Sequence, residues 1–100
     1  MATVSKALFR GAASTSSTTL YTVPSSTTTV ATNILVVNTA SSPASYDLLL
    51  DDVSIANDVI IAANDTISID LKQTLATTKT IKGLASATTV NFHISGVEIA

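Results

Sequence analysis

Residues Leu20 to Asn38 read LYTVPSSTTTVATNILVVN, and this stretch decides the fold class. A first strand runs to Val23 and stops at Pro24, because proline cannot donate to a β-ladder and holds the residue before it extended. A short polar turn follows. Thr28 to Asn38 is then predicted to be the longest strand of the chain. We therefore expect a hairpin across Leu20 to Asn38.

The second strand of this stretch is apolar on both faces. Alternation places Val30, Ile34 and Val36 on one face, and Leu35 and Val37 on the other. A strand of this kind is either covered on both sides within its own protein or covered by another chain. A chain of 100 residues has room for one core only. The pattern therefore predicts a subunit interface at Leu35 and Val37.

The composition is poor in charge and rich in hydroxyl groups. Hydrophobic residues make up 46% of the chain and charged residues 12%, while Ser and Thr number 13 and 17. The charged share is about half that of ordinary soluble domains, which suits a surface that lies against other proteins. A net charge of -2 without clustered Lys or Arg argues against nucleic acid or an anionic membrane as a partner. The chain has no cysteine, which excludes disulfides and thiol chemistry.

The N-terminal region is predicted to be an arm. Thr3 to Arg10 indicates a short strand, and the Gly, Ser, Thr and Ala residues that follow indicate a flexible connection up to residue 19. We expect this arm, residues 1–19, to lie on its own sheet or on that of a neighbour, with Leu8 and Phe9 in an interface. Residues 20–100 then form the body of a single domain.

The rest of the chain alternates short strands with turn signals. The predicted strands are Tyr46 to Asp51, two short strands within Val53 to Ala63 separated by a turn or bulge at Asn57-Asp58, Thr66 to Lys72, and Lys79 to Leu84. A polar crossing is expected from Gln73 to Thr78. The pattern predicts an all-β protein, a single antiparallel β-sandwich of jelly-roll or immunoglobulin-like kind with about eight strands.

The last predicted strand, Thr89 to Ile99, changes its parity. Its apolar residues occupy even positions up to Ile94 and odd positions from Val97 onward. One extra residue at Ser95-Gly96 would bring both sets to the same face. The sequence therefore predicts a β-bulge there, with Gly96 supplying a backbone angle that other residues avoid.

Few residues of the chain could carry chemistry. The lone His93 lies between two apolar residues, without a second His or a Cys for a metal site, and is predicted to be structural or part of an interface. The six aspartates fall mostly at strand ends, where Asp is an expected turn residue. Calcium binding near Asp51 and Asp52 stays open, because hard cations take carboxylate oxygens. We otherwise predict neither a cofactor nor a metal site.

The tests for an enzyme are negative. The chain contains neither a Gly-x-Ser-x-Gly elbow nor a phosphate-cradling glycine loop. A glycosidase would need paired carboxylates beside aromatic sugar platforms, and the only aromatic residues are Phe9, Tyr21, Tyr46 and Phe92. We predict no enzymatic activity and no catalytic residue. A carbohydrate-binding module would need an exposed aromatic patch at Tyr21 or Tyr46, and an adhesion-type domain would need the calcium ion.

Three segments together carry a family resemblance. Leu20 to Pro24 (LYTVP), Thr28 to Asn38 (TTVATNILVVN) and Val90 to Ile99 (VNFHISGVEI) resemble small β-sandwich virion proteins of tailed bacteriophages. The resemblance implies a non-enzymatic structural protein of the virion, assembled in the cytoplasm of the host bacterium. It favours a capsid decoration, or cement, protein; the alternative is a small tail, collar or fibre component.

The resemblance also implies partners. These are the major capsid protein or tail proteins, together with copies of the chain itself in a homo-oligomer, for which a trimer is one arrangement. It implies no nucleic acid and no membrane as partners.

Overall fold

The computed structural model describes residues 2–100, which form two antiparallel sheets of four strands each. The strands are β1 (Thr3–Ala12), β2 (Thr18–Thr22), β3 (Thr28–Asn38), β4 (Ala44–Leu50), β5 (Val53–Ile61), β6 (Thr66–Leu75), β7 (Thr80–Ala85) and β8 (Val90–Ile99). Sheet I has the order β1-β8-β3-β6, and sheet II has the order β2-β7-β4-β5. No helix occurs among residues 2–100. The predicted all-β sandwich is confirmed.

The path of the chain selects between the two predicted sandwich types. Every connection except that between β4 and β5 crosses from one sheet to the other. Eight strands in two four-stranded sheets, with the chain passing repeatedly between the sheets, form a jelly roll. Immunoglobulin-type sandwiches have seven or nine strands.

The predicted hairpin across Leu20 to Asn38 is therefore wrong, because β2 lies in sheet II and β3 in sheet I. Pro24 and the residues after it carry the chain across the sandwich. The crossing is held by the β6–β7 connection, where the Val23 N–H donates to the Lys79 carbonyl and the Thr77 hydroxyl donates to the Thr27 carbonyl. A proline and a polar turn end a strand in the same way whether the next strand pairs with it or faces it.

The core lies between the two sheets. Ile34 and Val36 of β3 are fully buried, as their alternation predicted. Phe92 of β8 packs edge-to-face on Tyr46 of β4, with ring centroids 6.3 Å apart and an interplanar angle of 73°. Such aromatic pairs add to the stability that their buried area provides. The inward faces of both sheets thus meet along the middle of the molecule.

The predicted aspartate turns are confirmed in the β4–β5 hairpin and in β5. Asp51 and Asp52 have φ angles of 53° and 60°, the pair of positive angles that a two-residue type I′ hairpin requires. Residues 53–61 form one strand instead of the two predicted, with a bulge at Asn57-Asp58 and a second register shift at Ile55. The Asp47 carboxylate stabilises this bulge by accepting a 2.8 Å hydrogen bond from the Asp58 N–H.

The predicted bulge in β8 is wrong, since β8 itself is regular. The extra residues are Leu8 of β1 and Thr32 of β3, in the two strands that flank β8 at this level. Gly96 has an ordinary φ angle. Its lack of a side chain serves a close approach, because a Cβ there would lie 2.5 Å from the Val30 carbonyl oxygen and 2.8 Å from Leu8 Cδ1. The parity change in β8 marks apolar residues on its outer face instead of a bulge, and β8 alone does not reveal the extra residues in its neighbours.

These bulges change the faces that the alternation assigned. Val30 pairs with Val97 in the register of β3 and β8, and the next pair, Thr29 with Glu98, faces sheet II. Val30 and Val97 therefore point outward from the sandwich, as does Ile99. The predictions that Val30 shares a face with Ile34, and that Val97 and Ile99 share a face with Phe92, are wrong.

Strand β6 continues to Leu75, so the polar crossing predicted from Gln73 is shorter than expected. Ile67, Ile69 and Leu71 pack against the core, as their spacing predicted.

Candidate interaction surfaces

The outer face of sheet I is apolar along its two central strands. The register pairs Leu35 with His93 and Val30 with Val97 on this face, and all four side chains are half-buried. The remaining outward positions of β3 and β8 are occupied by the hydroxyl, amide and aliphatic residues Thr28, Asn33, Val37, Asn91, Ser95 and Ile99. No outward position of these two strands carries Asp, Glu, Lys or Arg within the described chain.

Charged residues of this face lie at its two edges. Arg10 of β1 is in register with His93, and Asp70 of β6 is in register with Asn33. The Asn33 Nδ2 donates a 2.9 Å hydrogen bond to the Asp70 carboxylate. The surface therefore has a centre without Asp, Glu, Lys or Arg, a positively charged residue at the β1 edge and a negatively charged residue at the β6 edge.

The five predicted interface residues divide between the two sides of sheet I. Leu35, Val37 and His93 come together on the outer face. Leu8, by contrast, is 8% exposed and belongs to the core. Phe9 is in register with the core residue Ile94 and packs against the core. The bulge at Leu8 turns this end of β1 inward, which alternation within β1 did not reveal.

A hydrogen-bonded cluster joins the two sheets at one end. The Tyr21 hydroxyl of β2 donates to the Glu98 carboxylate of β8 and lies 2.9 Å from the Thr29 hydroxyl oxygen. Lys6 Nζ is 3.4 Å from the other oxygen of Glu98. Burial, together with the hydrogen bond to Glu98, raises the pKa of Tyr21. Sequence reasoning missed this cluster, because Tyr21 and Glu98 are 77 positions apart and no local pattern links them.

The tyrosines do not form the patch that a carbohydrate-binding module would need. Tyr46 is 3% exposed, with its ring against Phe92, and burial raises the pKa of Tyr46. Tyr21 is engaged with Glu98. Neither ring offers an open platform for a sugar.

The aspartates at the β4–β5 turn face lysines. Asp52 Oδ1 lies 2.7 Å from Lys82 Nζ, and Asp51 Oδ1 lies 3.5 Å from Lys79 Nζ. The hydrogen bond and charge of Lys82 lower the pKa of Asp52. Across residues 2–100, no three His, Cys, Asp or Glu side chains are grouped closely enough to hold a metal ion.

Within residues 2–100, four large hydrophobic side chains are exposed, and all four lie on edge strands. Val53, Ile55 and Ile60 of β5 are 66%, 42% and 66% exposed, and Val4 of β1 is 51% exposed. Alternation did not predict them, since it cannot distinguish an edge strand from a central one.

A shallow depression lies where β3 and β6 bulge, lined by Thr32, Asp70, Leu71, Lys72 and Gln73. In the part of the chain that the structure describes, no helix is long and apolar enough to cross a membrane.

The chain was compared with family models, curated proteins and solved structures. No family model matches the chain, and no curated protein matches its sequence. One structural neighbour is the crystal structure of a pentameric capsid protein isolated from metagenomic phage sequences. It aligns at 15% identity and a TM-score of 0.39, over 96% of this chain and 59% of its own, so this chain spans less than two thirds of its length. The neighbour is thus a phage capsid protein, but an overlap of this quality establishes neither a common fold nor a common function.

Proposed function

We propose that this protein is a non-enzymatic structural component of a phage virion, and specifically a capsid decoration protein that binds the major capsid protein. The outer face of sheet I is its contact surface. The observation that carries the proposal is the uncharged centre of that face, where Val30, Leu35, Val37 and Val97 line up on two adjacent strands. The centres of protein interfaces are depleted in charge in the same way.

The size of this face supports a specific contact. Four strands about 4.8 Å apart and about 33 Å long give a sheet face of roughly 600 Å² before side-chain relief is counted. A standard interface buries about 800 Å² on each partner. Contacts of this size, repeated at every site of a shell, gain strength through multivalency.

The virion setting has two supports. One is the resemblance of residues 20–38 and 90–99 to small virion proteins of tailed phages. The other is the jelly-roll strand order, an architecture used by viral capsid and lectin domains. Architecture alone does not decide function, and the buried Tyr46 and engaged Tyr21 do not support the lectin-like alternative.

The deciding experiment measures copy number in virions purified from the source, by quantitative mass spectrometry. We expect a simple ratio to the major capsid protein. A small fixed number per particle would move the protein to the tail, collar or fibre. Its absence would overturn the virion proposal and favour a surface-binding module.

The surface is tested by Leu35→Asp, with Leu49→Asp as the matched control. Leu49 is a half-buried residue on the outer face of the central strand β4 in sheet II. We expect Leu35→Asp to abolish binding to shells that lack the protein while the isolated variant still folds, and Leu49→Asp to bind normally. Equal binding by both variants would show that the outer face of sheet I is not the contact surface.

A further inference from the structure

The sandwich has two lateral edges that differ in their exposed residues. Strands β1 and β2 are the first strands of the two sheets and contact each other, whereas β6 and β5 are the last strands on the opposite side. We call these the β1–β2 edge and the β5–β6 edge. The four exposed large hydrophobic side chains of the described residues lie on them, with Val4 on the former and Val53, Ile55 and Ile60 on the latter. Each edge therefore has apolar surface that no strand of this chain covers.

The two edges also differ in charge. The first 46 residues contain Lys6 and Arg10 and no acid, whereas residues 47–71 contain six aspartates and no Lys or Arg. Because β1 belongs to the first segment and β5 and most of β6 to the second, the order of charges along the chain becomes a separation in space. The β1–β2 edge is basic, and the β5–β6 edge is acidic.

Most charges at these edges have no ion-pair partner within residues 2–100; the exception is Lys6, which pairs with Glu98. Asp51 and Asp52 are paired with lysines at the β4–β5 turn. The ion pairs of residues 2–100 include neither Arg10 nor the acids of the β5–β6 edge, which are Asp58, Asp65 and Asp70. Lys72 at the end of β6 is the one cation on that edge.

Strand direction makes the two edges compatible. In a four-stranded antiparallel sheet the first and last strands run in opposite directions, so β1 is antiparallel to β6 and β2 is antiparallel to β5. A second copy in the same orientation, placed beside the first, would bring its β1 antiparallel to β6 and its β2 antiparallel to β5. Antiparallel neighbours are the arrangement in which edge backbone groups pair well.

We propose that copies of this protein associate side by side, with the β1–β2 edge of one copy against the β5–β6 edge of the next. Pairing like edges would instead bring Arg10 near Arg10, or Asp58 and Asp65 near their equivalents, and like charges in contact disfavour such complexes. A head-to-tail contact repeats until it closes into a ring or continues as a filament. The inference rests on the two edges alone, so it is tested in solution without virions.

The test is sedimentation velocity on the full chain over a range of concentrations and salt. Wild type is expected to associate. The association constant of the single variant Arg10→Glu, and that of the double variant Asp65→Lys/Asp70→Lys, should each be lower by about tenfold or more. The triple variant Arg10→Glu/Asp65→Lys/Asp70→Lys reverses both edges, so it is expected to recover association. Arg10→Lys keeps the charge and serves as the matched control.

Three results would overturn the inference: a wild type that stays monomeric at every concentration, association that survives both reversals, or a triple variant that does not recover. If a variant fails to fold, cross-linking of the wild-type protein still tests the contact. Carbodiimide coupling of mixed isotope-labelled and unlabelled chains is expected to join Lys6 of one copy to Asp58, Asp65 or Asp70 of another. Intermolecular links confined to other residues would contradict the proposed contact.

Discussion

Strands β8 and β5 contain similar numbers of aliphatic residues but bury them very differently. β8 is paired on both sides, and its Val90, Phe92 and Ile94 are fully buried. β5 is an edge strand with two breaks in its register, and it leaves Val53 and Ile60 66% exposed. The position of a strand in its sheet, more than its hydropathy, therefore decides how much apolar surface it removes from water.

The same substitution in the two strands is expected to have opposite consequences. Ile94→Asp places an unpaired charge in the core and should reduce the free energy of unfolding by more than about 4 kcal/mol, enough to prevent folding. Ile60→Asp on exposed β5 should change it by about 0.5 kcal/mol or less. Urea unfolding of both variants measures the difference. A stably folded Ile94→Asp would show that the core is misplaced.

Glycine-to-alanine changes distinguish crowded β8 from the edge strand β1. Gly96→Ala should cost about 1–3 kcal/mol, because the new methyl group meets the Val30 carbonyl and Leu8. Gly11→Ala meets only the tip of the Phe9 ring, at 3.3 Å, and that ring can move. Thermal unfolding is expected to show a lowered Tm for Gly96→Ala only. Equal shifts would contradict the close approach at Gly96.

Removing the two tyrosine hydroxyls tests the cluster at the end of β8. Tyr21→Phe takes a donor from the partly buried Glu98 and should cost about 1–2 kcal/mol. Tyr46→Phe is the control, since the Tyr46 hydroxyl makes no side-chain hydrogen bond within residues 2–100 and the ring packing is kept. Chemical unfolding compares the two variants. A Tyr21→Phe variant as stable as wild type would mean that the cluster contributes nothing net.

The raised pKa of Tyr21 predicts a loss of stability at alkaline pH. A raised folded-state pKa means that the folded protein holds the phenol proton more tightly than the unfolded chain, so the contribution is complete below pH 10.0, the ordinary pKa, and is lost as pH rises through the folded value. Tm should therefore fall above pH 10.0, and less steeply in Tyr21→Phe. If Tm falls equally steeply with pH in wild type and in Tyr21→Phe, Tyr21 is not the cause. A decrease of Tm that persists in Tyr21→Phe is attributed partly to Tyr46, whose pKa is also raised.

The smallest effect is expected at the turn that leads into β5. Asp52→Asn removes the ion pair with Lys82 but keeps a residue that tolerates the φ angle of 60°. Because the pKa of Asp52 is lowered, its contribution is present above the ordinary value of 3.8 and disappears as pH falls below it. The Tm of Asp52→Asn should nearly equal that of wild type at neutral pH, and a large decrease would indicate a stronger ion pair than exposed groups normally form.

Much of the fold could be predicted from local patterns. The period-two alternation of residues 28–38 and 66–71 identified strands and their core residues, and aspartates identified turns, because both signals act within a few positions of the chain. The outward position of Leu35, Val37 and His93 follows from the same alternation. Pairing partners could not be predicted in this way, which is why the hairpin across Leu20 to Asn38 and the bulge at Gly96 were wrong.

Local sequence patterns were sufficient to predict the fold class and the inward faces of most strands, and the sequence separates basic residues from acidic ones along the chain. Contacts between distant segments determine which strands are edges, where the bulges at Leu8 and Thr32 lie, and that Tyr21 meets Glu98. The physical reason is that alternation and turn chemistry depend on neighbouring residues, whereas sheet order depends on contacts between distant segments. The placement of basic β1 and acidic β5 on opposite edges depends on both levels. The order of charges along the chain comes from the sequence, and the jelly-roll strand order places them on opposite edges.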